Sequence, residues 1–182
     1  MPITLNGSGT VSGLSVGGLP DGSIASADLA AGVGGKILQF QSVKYDSYAS
    51  TTSSSYIDSG LTCNITPISS SSKIIIVGRI QLCKTSYTAV ARLLRDSTEI
   101  GSNSDTGSNS DLFTFYSQNS YMSIGVPFMA DDSSHNSTSQ LTYKLQIKSD
   151  GGNTLYINGH NNNTGSYYSV SYMSLMEVAW VN

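Results

Sequence analysis

Leu141-Thr142-Tyr143-Lys144-Leu145-Gln146-Ile147 sets an apolar against a polar side chain at every step. In an extended chain successive side chains point to opposite sides, so Leu141, Tyr143, Leu145 and Ile147 share one face and Thr142, Lys144 and Gln146 the other. That is a strand with one dry face and one wet face. Leu61-Thr62-Cys63-Asn64-Ile65 alternates in the same way. Ile74-Ile75-Ile76-Val77 is instead apolar on both faces, as expected for a strand in the middle of a domain or at a subunit interface.

Short apolar runs divided by clusters of Ser, Asn and Gly continue from Lys36 to the end of the chain. They predict strands at 36–44, 60–66, 73–83, 89–95, 112–116, 121–130, 140–148, 154–158 and 170–181. About eight such strands make two facing sheets, so the expected fold is all-β, an antiparallel jelly roll or β-sandwich. Bulky residues fill Tyr172-Met173-Ser174-Leu175-Met176-Glu177-Val178-Ala179-Trp180, which predicts a central rather than a fraying last strand. The segments 101–111, 131–139 and 159–169 are strongly polar and are expected to form hydrated contact loops.

Residues 1–35 read differently from 36–182, the expected head domain. They contain glycines at nine positions and no aromatic residue, too little to build a core. Val11, Leu14, Val16 and Leu19 recur every two or three positions, as in an extended attachment arm that docks on another chain. One short helix is predicted inside the arm, with Ser26 as its N-cap, Asp28 in its first turn and Gly32 as its stop.

Composition narrows the function. Only 12% of the 182 residues are charged and the net charge is −3, so no cationic field attracts phosphate and nucleic acid is not an expected partner. No apolar run reaches the roughly 20 residues that span a bilayer, and Met1-Pro2-Ile3-Thr4 opens no signal sequence, so no membrane insertion is expected. Cys63 and Cys83 lie in apolar strand-like segments and are expected to stay reduced in the core.

The residues of known chemistries do not assemble. His135 and His160, the only histidines, sit in polar loops and are expected to face solvent rather than serve a triad. Gly13-Leu14-Ser15-Val16-Gly17 matches a nucleophile elbow in letters, but no strand precedes it. Asp105, Asp111, Asp131, Asp132 and Glu177 are the carboxylates a glycosidase would draw on; the four aspartates read more simply as turn formers and solubilising loop charges. Asp131 and Asp132 with Asn136 lack the spacing of a calcium loop, and the Cys and His positions lack that of a zinc site. Glycine pairs at 17–18 and 34–35 lack a phosphate-binding frame. The expectation is therefore a protein that is not an enzyme, with no cofactor and no resident metal.

Tyrosine is in excess, with 11 residues. Tyr143 and Tyr172 fall within predicted strands and are read as packing residues. Tyr167 and Tyr168 flank a Gly-Ser loop near Asn161 and Asn162, and could stack on and hydrogen-bond a host-surface glycan.

Val16-Gly17-Gly18-Leu19-Pro20-Asp21-Gly22-Ser23, then Ala27-Asp28-Leu29-Ala30 and Gly34-Gly35-Lys36-Ile37-Leu38-Gln39, resembles a segment of tail-fibre-like structural proteins of phages, especially cyanophages. Asn64-Ile65-Thr66-Pro67, the run Ser69 to Ser72 and Lys73-Ile74-Ile75-Ile76-Val77 follow in a similar order. With Arg92-Leu93-Leu94-Arg95-Asp96 and Met176-Glu177-Val178, the layout looks like the trimeric, tumour-necrosis-factor-like (TNF-like) jelly-roll heads of such proteins. The resemblance implies a homotrimer on the virion surface, made in the host bacterial cytoplasm. Its arms would bind other virion proteins, and its heads would serve host adsorption or particle stabilisation. Ile74, Ile76 and Tyr172 are the expected trimer interface. No heptad shaft precedes the head, so a short tail fibre and a capsid decoration protein both fit. Two rival readings are a free glycan-binding, lectin-like domain and a glycan-degrading spike enzyme.

Overall fold

The computed structural model of the chain describes residues 37–84, 86–101, 112–116, 122–160 and 168–179, together with the backbone of two short strands nearer the N-terminus. The chain divides into a unit Met1–Lys36 and a unit Ile37–Asn182. In the first, β1 (Thr4–Leu5) pairs antiparallel with β2 (Val11–Ser12), Leu5 opposite Val11. The backbone of Val11 thus has a partner in its own segment, where the sequence predicts an extended run. Leu14, Val16, Leu19 and the predicted helix lie outside the described residues.

The second unit contains β3 (Ile37–Tyr45), β4 (Ala49–Thr51), β5 (Ile57–Ile65), β6 (Lys73–Lys84), β7 (Thr88–Arg95), β8 (Thr98–Ile100), β9 (Phe113–Tyr116), β10 (Ile124–Asp132), β11 (Leu141–Ser149), β12 (Leu155–Ile157) and β13 (Ser171–Val178). One sheet has the order β10-β6-β13-β3, lengthened at one end by β12 and β4. The other has the order β9-β7-β11-β5, with β8 also on β7. The chain crosses repeatedly from one sheet to the other, and this interleaved antiparallel order is a jelly roll. Each predicted strand is present within a few residues of its expected bounds. The short strands β4 and β8 were not foreseen; Ala-Ser-Thr and Thr-Glu-Ile carry too little alternation to announce themselves. β13 lies between β3 and β6, so the last strand is central as expected.

The two inner faces close on one core that includes Leu61, Ile65, Ile80, Leu93, Leu145, Ile147, Met173 and Leu175. The same core takes Ile74 and Ile76, both with 0% exposure. Residues sealed within a single chain cannot meet a second copy, which corrects their expected place at a trimer interface. Ile75 and Val77 are the outward members of that run. Gly60, at φ +90°, sits where β5 slips register against β11, and any Cβ there would collide with the Tyr45 ring. Cys63 and Cys83 are buried thiols that form no disulfide, on different sheets.

Buried polar clusters tie the sandwich together. Asp132 from β10 takes two bonds from Arg95 of β7, at 2.8 and 2.7 Å, and one of 2.8 Å from the Tyr143 hydroxyl of β11, so it clips sheet to sheet. Burial pushes its carboxyl up, but the bonds from Tyr143, Ser134 N and Arg95 outweigh this and hold it below the usual range. Burial and the Asp132 carboxylate push the Tyr143 hydroxyl strongly up. Asp132 is therefore a core ion-pair member, not the loop charge the sequence suggests, because β10 runs two residues further than predicted and turns it inward.

Glu177 of β13 has 0% exposure and accepts bonds from Ile68 N, Ser69 N, Ser72 Oγ and Gln39 Nε2. These outweigh the upward push of burial, and its carboxyl also lies low. His135 sits against this cluster at 7% exposure, its ring nitrogens 2.9 Å from Ser72 O and 3.1 Å from Ser137 O. The expectation of a solvent-facing histidine is thus corrected: Ser72 and Ser137 supply hydrogen-bonding partners on both sides of the ring, which lets a polar group enter the protein. His160 is half-buried rather than fully exposed. Lys84, also at 0% exposure, donates to Thr88 O, Ser149 Oγ and Asp150 O at 2.6–2.7 Å, joining the β6–β7 turn to the end of β11.

Candidate interaction surfaces

Register fixes what each sheet turns outward. On the β10-β6-β13-β3 sheet, Asp131, Ile75, Met176 and Phe40 form one row across the strands. Met129, Val77, Ser174 and Ser42 form the next, and Pro127, Arg79, Tyr172 and Lys44 the third. Met129 is 71% exposed, Phe40 55% and Ile37, beyond the first row, 56%. An open groove of about 340 Å³ lies along this face between Lys73, Ile75, Met129, Ala130 and Asp131. Lys73 and Asp131 pair at 3.0 Å on its rim, and Lys44 pairs with Asp46 at 2.7 Å on the opposite side. The result is an apolar centre edged by charges of both signs.

The outer face of the other sheet is polar. Gln146 and Lys144 both donate to Asp58, Arg92 bonds Gln146 and Glu99, and Arg92 and Lys148 lie 4.3 and 4.6 Å from the Tyr56 ring centre. Alternation in β11 supplies Lys144, Gln146 and Lys148 to this face.

At the β4–β12 end of the first sheet stands an aromatic cluster. The Tyr48 ring stacks on Tyr156 with centres 6.2 Å apart and meets Tyr168 edge-on at 6.3 Å. Tyr156 is nearly buried, Tyr48 is 39% exposed and Tyr168 59%. Beneath them Asn158, at φ +56° and 0% exposure, donates from Nδ2 to Tyr45 O (2.9 Å) and Ser47 O (3.1 Å). Its Oδ1 accepts from Ser171 Oγ at 2.6 Å, and its backbone carbonyl accepts from Ser169 N. One buried amide thus fixes the segment before Tyr48 and the segment after Tyr168. Burial and the neighbouring rings push the Tyr48 hydroxyl up.

Of the residues expected to contact a ligand, Tyr168 is placed in this cluster, while Tyr167, Asn161 and Asn162 lie outside the described residues. Tyr172 is on the outer face at 42% exposure, beside Arg79 and Lys44. The sequence reading missed Phe40, Met129 and Tyr48; the two-sided apolar run Ile74 to Val77 was the signal for the first two. Among the described residues, no group of His, Cys, Asp and Glu is arranged to hold a metal ion. Asp105 and Asp111 lie outside them.

No protein-family model matches the chain. No curated protein sequence matches it either. Among solved structures, T=1 particles derived from infectious bursal disease virus are similar at TM-score 0.42 and 15% identity, over 78% of this chain and 36% of that one. The VP2 subviral particle of the same virus gives TM-score 0.36 and 17% identity, over 78% of this chain and 37% of that one. The chain therefore spans little more than a third of those viral proteins.

Proposed function

We propose that this chain is a non-enzymatic virion structural protein of a phage. It assembles as a homotrimer through the outer face of the β10-β6-β13-β3 sheet, in a TNF-like arrangement. Its N-terminal unit attaches it to other virion proteins, and its jelly-roll heads act in host adsorption, as a short tail fibre, or in particle stabilisation, as a capsid decoration protein. The observation that carries this reading is the exposed apolar centre of that face, formed by Phe40, Ile75, Val77, Met129 and Met176. Apolar surface of this kind on a folded domain marks a protein contact. Charges of both signs at its margin allow the face to complement itself, whereas a phosphate backbone or anionic membrane would call for one sign. The phage and trimer elements come from the sequence resemblance.

The test is the oligomeric mass of the full chain by sedimentation, joined to its copy number and location in purified particles by electron microscopy and mass spectrometry. A trimer found on particles is the expected result. Many copies over the head identify a decoration protein, and a few at the tail identify a fibre. A stable monomer overturns the assembly, and absence from particles overturns the virion role.

A further inference from the structure

We infer that the Tyr48–Tyr168 cluster is a carbohydrate-binding platform whose ligand is the apolar face of an uncharged pyranose ring. The chemistry of the site selects that class. Tyr48 and Tyr168 offer flat, amphipathic surface in contact with solvent, backed by Tyr156, which is nearly buried. A pyranose presents one face of C–H groups, which packs on such rings, and an equator of hydroxyls, which needs hydrogen-bonding neighbours. Those neighbours are present on the same segments: Ser47 and Ser50 beside Tyr48, and Ser169 next to Tyr168, itself near Ser123 at 3.3 Å between hydroxyls. Among the described residues, the charges nearest Tyr48 in sequence are Lys44 and Asp46, which pair with each other at 2.7 Å and so offer no net charge to select an acidic sugar or phosphate.

The platform is also held in place before any ligand arrives. Asn158 is buried, in a left-handed backbone conformation, and its side chain bonds Tyr45 O, Ser47 O and Ser171 Oγ at once. Two chain segments far apart in sequence are thereby locked with their tyrosines in contact. Rings fixed in advance lose little freedom on binding, which is what a shallow site requires to retain a sugar. This platform lies at the opposite end of the sheet from the Ile75–Met129 groove, so it deepens the adsorption reading without requiring the same surface as self-association.

The experiment uses the full chain and a panel of neutral oligosaccharides of glucose, galactose, mannose and N-acetylglucosamine, read by saturation-transfer NMR and titration. Wild type is expected to bind at least one at millimolar sugar. Tyr168→Ala should weaken that binding about tenfold, equivalent to about 1.4 kcal/mol, since an aromatic contact is removed. Tyr116→Ala, an equally exposed tyrosine on the other sheet, should leave it unchanged. Tyr168→Phe should retain most of it, because the ring rather than the hydroxyl carries the stacking. Absence of binding across the panel, or equal binding by Tyr168→Ala, overturns the inference. Sedimentation on the same samples keeps this result separate from the assembly reading: trimers that bind no sugar refute the platform alone, and monomers that bind sugar refute the assembly alone.

Discussion

The two sheets of this jelly roll present similar inner faces and opposite outer ones. Inside, both contribute Ile, Leu and aromatic residues to one core. Outside, the β9-β7-β11-β5 sheet is covered by a lattice of Asp58, Lys144, Gln146, Arg92 and Glu99 that bond one another. The β10-β6-β13-β3 sheet leaves Phe40, Val77 and Met129 bare. A face whose polar groups satisfy one another gains little from a partner, whereas a bare apolar face gains about 25 cal/mol for each Å² it removes from water. In the proposed assembly, one side of the domain stays in water and the other meets its partner copies.

The most severe way to break the comparison is to part the sheets. Asp132→Ala removes the carboxylate shared by Arg95 and Tyr143 and leaves a largely buried guanidinium without its partner. The expected loss is about 3–5 kcal/mol, or about 10 °C or more in Tm. Asp131→Ala, one residue away but pointing outward, should cost well under about 1 kcal/mol in the same thermal unfolding experiment.

Acid should act on the same interior. The carboxyls of Asp132 and Glu177 lie below their ordinary values in the folded protein. The unfolded chain therefore binds more protons as pH falls, and the stability these groups contribute is complete only above their unfolded values, near pH 4. Urea unfolding from pH 7 downward should show stability nearly constant to about pH 5, then falling steadily as the folded values are crossed. Glu177→Gln should flatten that fall. A stability that rises below pH 4 would contradict the network.

Next in size is the outward face itself. Val77→Asp places a charge at the centre of the apolar rows without entering the core, since Val77 is already 38% exposed. Self-association should weaken about a hundredfold while the fold and its Tm persist. Asn64→Asp, on the polar sheet, should change neither. Equal effects of the two substitutions on sedimentation would erase the distinction between the faces.

Most of the fold could be read from the sequence because each long strand repeats its signal several times. β11 states its two faces four times over, and β6 states that neither of its faces is fully wet. What the alternation could not give is which side of β6 meets the core. Ile74 and Ile75 are chemically alike, so only the register with β10 and β13 decides that Ile74 faces in and Ile75 out. The polar clusters were hidden for a related reason. Asp132 and His135 lie amid serines, threonines and a further acid that look solvated, while Glu177 is a single acid in an apolar run; in each case the burial becomes visible only when distant partners such as Arg95 or Gln39 arrive across the fold. Tyr168 was singled out by its loop, but Tyr48, some 120 positions earlier in the sequence, meets it only in the folded chain, where the amide of Asn158 ties their segments together.

The smallest expected effect tests the polar face on its own terms. Asp58 lies 3.1 Å from Lys144 Nζ and accepts from Gln146 Nε2, yet 55% of its side chain is exposed. Water and salt screen such a pair, and holding two mobile side chains together offsets most of the attraction. A double-mutant cycle of Asp58→Ala and Lys144→Ala should return a coupling of about 0.2–1 kcal/mol that shrinks further in molar salt. A coupling of several kcal/mol, insensitive to salt, would mean that this face is shielded from water in the working protein. It would then be a second buried interface, and the division of labour between the two faces would fail.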